Sequence, residues 1–256
     1  MYVEKDIFTS PLDKSIKVWR YMSFAKLLDL LLTSELFFSC ADKFDDPFEG
    51  SLTKPTFDKL NSWTNNSKSF QAHRESYRQI TGISCWHMSH VESVAMWDLY
   101  LNNDEGVAIQ STFNHLVLSF NNTDKEIGLS EVRYIDYENF EFESLKSDGK
   151  KITFNFYEPF VHKRDFFSHE NELRAIYLNN PSPDHLYTGP LTKDIHANHV
   201  MGAGTRVQVD LSELIQTIYI SPRASGWFKE LVITTLKKFD YNFVVADSKL
   251  RDNPNF

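Results

Sequence analysis

An α+β fold is expected from the sequence, a single domain over residues 1–256 with mixed or antiparallel sheets flanked by helices. Three observations predict it. Segments of strand and helix periodicity are interleaved without regular βα alternation, which disfavours a doubly wound parallel sheet. Aromatic residues reach 14%, with 21 Phe, 11 Tyr and 5 Trp, and Phe and Tyr suit strands and large cores. Hydrophobic residues at 41% and charged residues at 24% are ordinary for a globular chain of this length, and no low-complexity linker or internal repeat divides it.

The elements follow in chain order. The N-terminal block, 16–50, begins with a strand over IKVWRY. Ser23 can cap a helix in which Phe24, Leu27, Leu28, Leu31 and Leu32 keep helical spacing. A second strand covers Leu36 to Ser39, and ADKFDDPFEG is a loop carrying an Asp-Asp-Pro turn signal. Residues 53–79 read as polar helix anchored by Trp63, Phe70 and Tyr77. The central block, 80–137, holds a strand over ITGISCWH, a helix over SHVESVAMWDLYLN, a strand over GVAIQS, a helix over 112–120 and an alternating strand over SEVRYIDY. Residues 152–166 read as a mostly helical aromatic segment ending in HKRDF. It leads into a third block, 160–178, whose strand is ENELRAIYL. Residues 179–204 read as a long loop. The C-terminal block, 205–250, gives the strands RVQVDL and IQTIYISP, a helix over SGWFKELVITTLKKF capped by Ser225, and a last strand over YNFVVADSKL.

Several function classes are disfavoured. There is no GxxxxGK[ST], and Gly202-Ala203-Gly204 leads into a strand rather than a helix, so nucleotide binding of the P-loop or Rossmann type is not indicated. A net charge of −8 argues against broad attachment to nucleic acid or anionic lipid, though not against a local basic groove. Two cysteines, Cys40 and Cys85, suggest no disulfide framework. The first residues are too charged for a signal peptide, and the most apolar stretch, 24–38, contains Lys26, Asp29 and Glu35. A cytoplasmic protein without membrane contact is expected.

Five segments could carry chemistry. Glu170, Glu172 and Arg174 alternate on the ENELRAIYL strand and share one face. Two carboxylates beside an arginine can orient a hydroxyl or stabilise a developing cation, and they can equally form an ion pair on a solvated face. Arg20 lies between Trp19 and Tyr21, so burial would call for an anionic partner: a phosphate, or Asp45 or Asp46. Trp97 and Tyr100 are three apart on a helix and either stack on a planar ligand or pack in the core. Lys163 and Arg164 follow His162 and either bind a pyrophosphate or a nucleic-acid backbone or form a solvated helix end. Cys85, His87 and His90, with His196 and His199, offer zinc-ligand types without a fixed fourth ligand, so no metal is expected. The acidic loop Asp42–Glu49 lacks spaced calcium ligands and reads as a loop-ordering device.

The order WRY, LFFS, FDDPFEG, SCW, ES-AMW-LY, GVAI, HKR and E-ELR, then VDL, ISP and WF, resembles a bacterial family catalogued as domain of unknown function 2971, over roughly residues 17–235. More remotely the chain resembles ADP-ribosyltransferases of the DNA- and RNA-modifying toxin branch. That resemblance implies an ADP-ribosyltransferase-like fold and NAD as substrate. It implies catalytic roles for Glu172, at the ribose, and Glu170, facing the acceptor. Arg20 would contact the dinucleotide, and Tyr100 or Trp97 would lie against the nicotinamide. Tyr21, Lys163 and Arg164 complete the expected cofactor-binding set. The acceptor would be nucleic acid or protein, within a toxin or phage-defence effector that could have a cognate antitoxin or defence partner. The alternative is a non-catalytic sensor module that binds a nucleotide or a partner, with Glu170, Glu172 and Arg174 closed into an ion-pair network.

Overall fold

The structure is a computed structural model that describes residues 1–64, 67–101, 104–150, 152–179 and 199–252, with backbone alone for 67–73. In order the elements are β1 (Lys17–Ser23), α1 (Phe24–Thr33), β2 (Glu35–Cys40), α2 (Lys54–Thr64), α3 (Ser67–Ile80), β3 (Thr81–Met88), α4 (Val94–Tyr100), β4 (Gly106–Thr112) and α5 (Phe113–Ser119). They continue with β5 (Gly128–Glu131), β6 (Arg133–Ile135), β7 (Lys146–Ser147), β8 (Ile152–Thr153), β9 (His162–Arg164), β10 (Glu172–Leu178), β11 (Gly204–Gln208), α6 (Leu211–Leu214), β12 (Thr217–Ile220), α7 (Gly226–Lys238) and β13 (Val244–Asp247). The class is α+β with a mixed sheet, as expected.

A nine-stranded sheet runs β11-β2-β3-β1-β4-β12-β13, with β10 and β5 joined to the other edge of β3. Its pairs are antiparallel except β12–β13. The sheet forks at β3. β2 pairs with the start of that strand, Ser39 with Ile83, and β1 with its end, Trp19 with His87. Residues 84–86 therefore have no strand partner on that edge.

Alternation along the strands divides the packing. Val18, Met22, Phe38, Trp86, Ile109, Leu173 and Ala175 face the main core with Leu27, Leu31 and Phe228. On the opposite face lie two separate clusters. One gathers Ile83 and Ile176 with Tyr137, Phe142, Phe156 and Phe160. The other holds Trp19, Tyr21, Met96, Trp97 and Ala108. The fork and a cavity lie between these two clusters.

Some expectations are corrected. Residues 152–166 are not helical. They form β8, a 3-10 turn at Glu158–Phe160, β9 and the start of a second 3-10 stretch, Asp165–Glu170, because Pro159 interrupts any longer helix and the rings of Phe154, Phe156 and Phe160 all turn inward. SEVRYIDY splits into β5, on the large sheet, and β6, which pairs with β9. The polar helix is two helices. Trp63 is 40% exposed beneath Lys59 rather than anchoring, Tyr77 is buried, and the Phe70 side chain lies outside the described residues. Ser23 and Ser225 occupy N-cap positions without side-chain capping bonds. Most of the expected loop 179–204, with His185 and His196, also lies outside the described residues. No described helix is long and apolar enough to cross a membrane.

Candidate active site

Arg20 sits in the fork. One terminal nitrogen donates to Ser84 Oγ at 2.5 Å and to the Cys85 carbonyl at 3.1 Å, and the other donates to the Phe37 carbonyl at 3.2 Å. The guanidinium thus satisfies carbonyls of β3 and β2 that the parting strands leave without a ladder. Burial pulls its pKa down, and it forms no ion pair with any described carboxylate. Asp46, one partner considered for it, is taken by Arg164. Arg20 is a cation held by neutral groups at the wall of a cavity of about 680 Å³.

The carboxylates enter the same cavity from β10. Glu170 is not on the strand: it ends a 3-10 turn, Asn171 takes a left-handed φ of 39°, and β10 starts at Glu172. The three-residue strand face is therefore a two-residue face, Glu172 and Arg174, which Glu170 joins through Lys163. Arg174 is fully buried and all five of its N–H donors are used. Nε and one Nη bond the two oxygens of Glu172 at 3.0 and 3.1 Å. Both Nη atoms reach the oxygens of Glu49 at 2.9 and 2.8 Å, and the last donor goes to the Phe160 carbonyl at 2.9 Å. Lys163 Nζ lies 2.6 Å from Glu170, 3.4 Å from Glu49 and 3.5 Å from Glu172.

This arrangement sends the two candidate carboxyls in opposite directions. Burial works to raise the pKa of Glu172, but Arg174 and Lys163 overcome it and hold the group below its usual range. At Glu170 burial prevails over Lys163 and the pKa rises. Glu172 is thus a fixed anion, and Glu170 is the more readily protonated of the two. Beside them, burial pushes the Cys85 thiol well up, with Glu172 adding to it, so the sulfur is no nucleophile.

Aromatic rings wall the space. Tyr100, at the end of α4, is 43% exposed at the mouth, and its hydroxyl sits in the field of Glu172 and Glu170 on one hand and Arg20 on the other. Tyr21, Trp86, Phe37 and Phe167 also line the cavity. Tyr21 Oη accepts the backbone N–H of Ser93, the N-cap of α4, and so fixes the helix that carries Tyr100.

Of the expected residues, Arg20, Tyr21, Tyr100, Lys163, Glu170 and Glu172 therefore meet at one cavity, and two do not. Trp97 is buried edge-on against Tyr21 with its indole N–H on Glu92, which makes it core rather than wall. Arg164 is outside the cavity, gripped through two nitrogens by Asp46 and lying 4.3 Å over the Phe48 ring. Lys163 lines the space, but it is spent on three carboxylates rather than held for a pyrophosphate.

Sequence reasoning missed Glu49, which it left within a loop-ordering acidic segment. The available signal was the following Gly50. Its φ of +70° and the Phe160 ring, 2.5 Å from where a Cβ would stand, require glycine there. His87 also lines the cavity; its Nδ1 lies 2.6 Å from the Glu170 carbonyl and so carries the proton. No three of His, Cys, Asp and Glu gather as a metal site among the described residues.

The profile of a family described as a protein of unknown function, DUF2971, matches residues 96–175. The likeness expected from the sequence is found over that stretch. It includes Tyr100, Lys163, Glu170, Glu172 and Arg174, while Arg20 and Glu49 lie before it. No curated protein matches significantly. Among solved structures, Thermus sp. 2.9 DarT in complex with ADP-ribosylated ssDNA is similar at 9% identity, covering 96% of this chain and 99% of that one, with a TM-score of 0.41. The same protein in complex with NAD+ is similar at 9% identity, covering 96% and 100%, with a TM-score of 0.40.

Proposed function

We propose that this chain is an NAD-consuming ADP-ribosyltransferase whose working carboxylate is Glu172. One observation carries the reading: Arg20, a half-buried cation with no carboxylate partner among the described residues, and a fixed anion, Glu172, line one cavity of ligand size. NAD supplies an ADP-ribosyl group joined to nicotinamide by a glycosidic bond. Arg20 suits its diphosphate, because a guanidinium without a protein anion gains most from a phosphate oxygen. Tyr100 and Tyr21 offer ring faces to a planar leaving group.

Glu172 uses one lone pair on each oxygen for Arg174 and also meets Lys163 at 3.5 Å and the Cys85 thiol, so a ribose hydroxyl would take the place of one of these weaker partners. As the bond to nicotinamide lengthens, positive charge grows on the ribose. A carboxylate already oriented and ionised stabilises that charge without reorganising. Glu170, with its raised pKa, can take a proton from the acceptor. The acceptor class proposed is nucleic acid or protein, and the biological setting a toxin or defence effector with a cognate partner.

A second reading has its own support. Glu49, Glu170 and Glu172 against Lys163 and Arg174 form the closed network expected of a non-catalytic sensor, which would bind NAD or a related nucleotide unchanged. Nicotinamide release from NAD, with a folded Glu172→Gln beside the wild type, separates the two. Release that is lost in the variant supports the transferase. Binding without release in the presence of nucleic acid and cell lysate supports the sensor.

A further inference from the structure

Glu49 is the one fully buried acid of the loop Asp42–Glu49, at 2% exposure. It reaches the carboxylate network from a segment more than a hundred residues away in sequence. The loop around it is built to deliver it. Asp46 accepts the backbone N–H of Phe48 through Oδ1 and that of Glu49 through its carbonyl, each at 3.0 Å, and holds Arg164. Gly50 then turns in the left-handed region against the Phe160 ring. Phe160 is also the residue whose carbonyl accepts from Arg174.

A guanidinium is planar, and its donors are fixed in that plane. One edge of Arg174 faces Glu172, and the edge between its two Nη atoms faces Glu49. The orientation of Glu172 therefore follows the plane of Arg174, and that plane is set from the other side by Glu49. Glu49 also lies within 3.4 Å of Lys163, the second cation on Glu172. Its charge shares both cations with Glu172 and so keeps them from closing entirely on the working carboxylate.

We propose that Glu49 is a positioning residue of this site, acting through Arg174 and Lys163 to hold Glu172 in the orientation its chemistry needs and to share the two cations that face it. The proposal rests on the reading of Glu172 as the working carboxylate. It predicts more than a structural role would. Glu49→Gln keeps the shape but replaces one acceptor oxygen with a donor and removes a charge. Both cations then fall more fully on Glu172, so its proton affinity drops further. The acid limb of kcat/KM for NAD moves to lower pH. At neutral pH kcat falls, with KM for NAD near the wild-type value. The expected loss in kcat is roughly tenfold to a hundredfold, the scale seen when a group that orients a working ligand is removed.

Glu49→Asp keeps the charge and withdraws the oxygens by one methylene. It should lose kcat with the acid limb near its wild-type place, and it serves as the test should Glu49→Gln not fold. The Glu172 carboxyl is also titrated directly by carbon-13 NMR on glutamate-labelled wild type and Glu49→Gln. A fall in its midpoint in the variant supports the proposal, and an unmoved midpoint overturns it. Unchanged kcat and pH profile in folded Glu49→Gln would also overturn it. If the wild type releases no nicotinamide, the transferase reading fails on that result, and the NMR midpoint alone decides whether Glu49 tunes Glu172.

Discussion

Replacing Arg174 with methionine should destabilise the protein by about 3–5 kcal/mol at neutral pH, the usual cost of breaking a buried ion pair by deleting one partner. The magnitude follows from the contacts. Arg174 makes four charge-assisted bonds, two each to Glu49 and Glu172, and a fifth to the Phe160 carbonyl. Hydrogen bonds to charged groups are worth about 1.5–3 kcal/mol each, so the four alone would sum to about 6–12. Two effects reduce that sum. The guanidinium no longer has to be desolvated, and Lys163 remains within 3.5 Å of both abandoned carboxylates. Methionine fills most of the aliphatic volume, so little of the loss is packing.

The pH dependence identifies the cause. Glu172 has a lowered pKa in the folded protein, so its stabilising contribution is present above the ordinary carboxylate range and is lost as pH falls through the folded value. Without Arg174 that contribution shrinks at neutral pH, whereas in acid the carboxyl is protonated in both proteins. The gap between wild type and Arg174→Met should therefore narrow below about pH 4. Urea unfolding at about pH 7.5 and about pH 3 measures it. A deficit under about 1 kcal/mol at the higher pH, or one equal at both, would refute the claim that Arg174 exists to hold buried anions.

Two further predictions concern the cavity wall. Arg20→Lys keeps a charge but cannot span the fork and grip a diphosphate together, so Kd for NAD should weaken about tenfold or more by calorimetry; an unchanged Kd would remove Arg20 from the site. Trp97→Phe should cost about 1 kcal/mol through loss of the indole bond to Glu92 and leave Kd for NAD unaltered; weakened binding in a stable variant would return Trp97 to the cavity wall.

The fold was legible where periodicity is strong. Lys17–Ser23, Thr81–Met88, Gly106–Thr112 and Glu172–Leu178 are strands as their sequences suggest, and the Phe24–Thr33 helix follows its leucine spacing. The segment 152–166 was not legible, because close-set aromatics serve an irregular inward-facing coil as well as a helix. For the site, the pairing of Glu172 with Arg174 was open to reading because strand alternation is local. Three other features were not. Trp97 and Tyr100 share a helix, and only the third dimension decides which ring packs in the core and which stands at the cavity mouth. Arg164 and Lys163 are adjacent basic residues, but Asp46, which holds Arg164, and Glu49, one of three carboxylates on Lys163, come from a distant loop without periodicity. The fork that exposes Arg20 is a property of the register between three strands, which no single segment encodes.

The most direct test is the structure of the protein with a non-hydrolysable NAD analogue. The diphosphate is expected within hydrogen-bond reach of Arg20, the ribose 2′-hydroxyl on Glu172 and the nicotinamide ring against the aromatic wall of the same cavity. An analogue bound elsewhere, or one in this cavity with its ribose turned away from Glu172, would contradict the proposed role of Glu172.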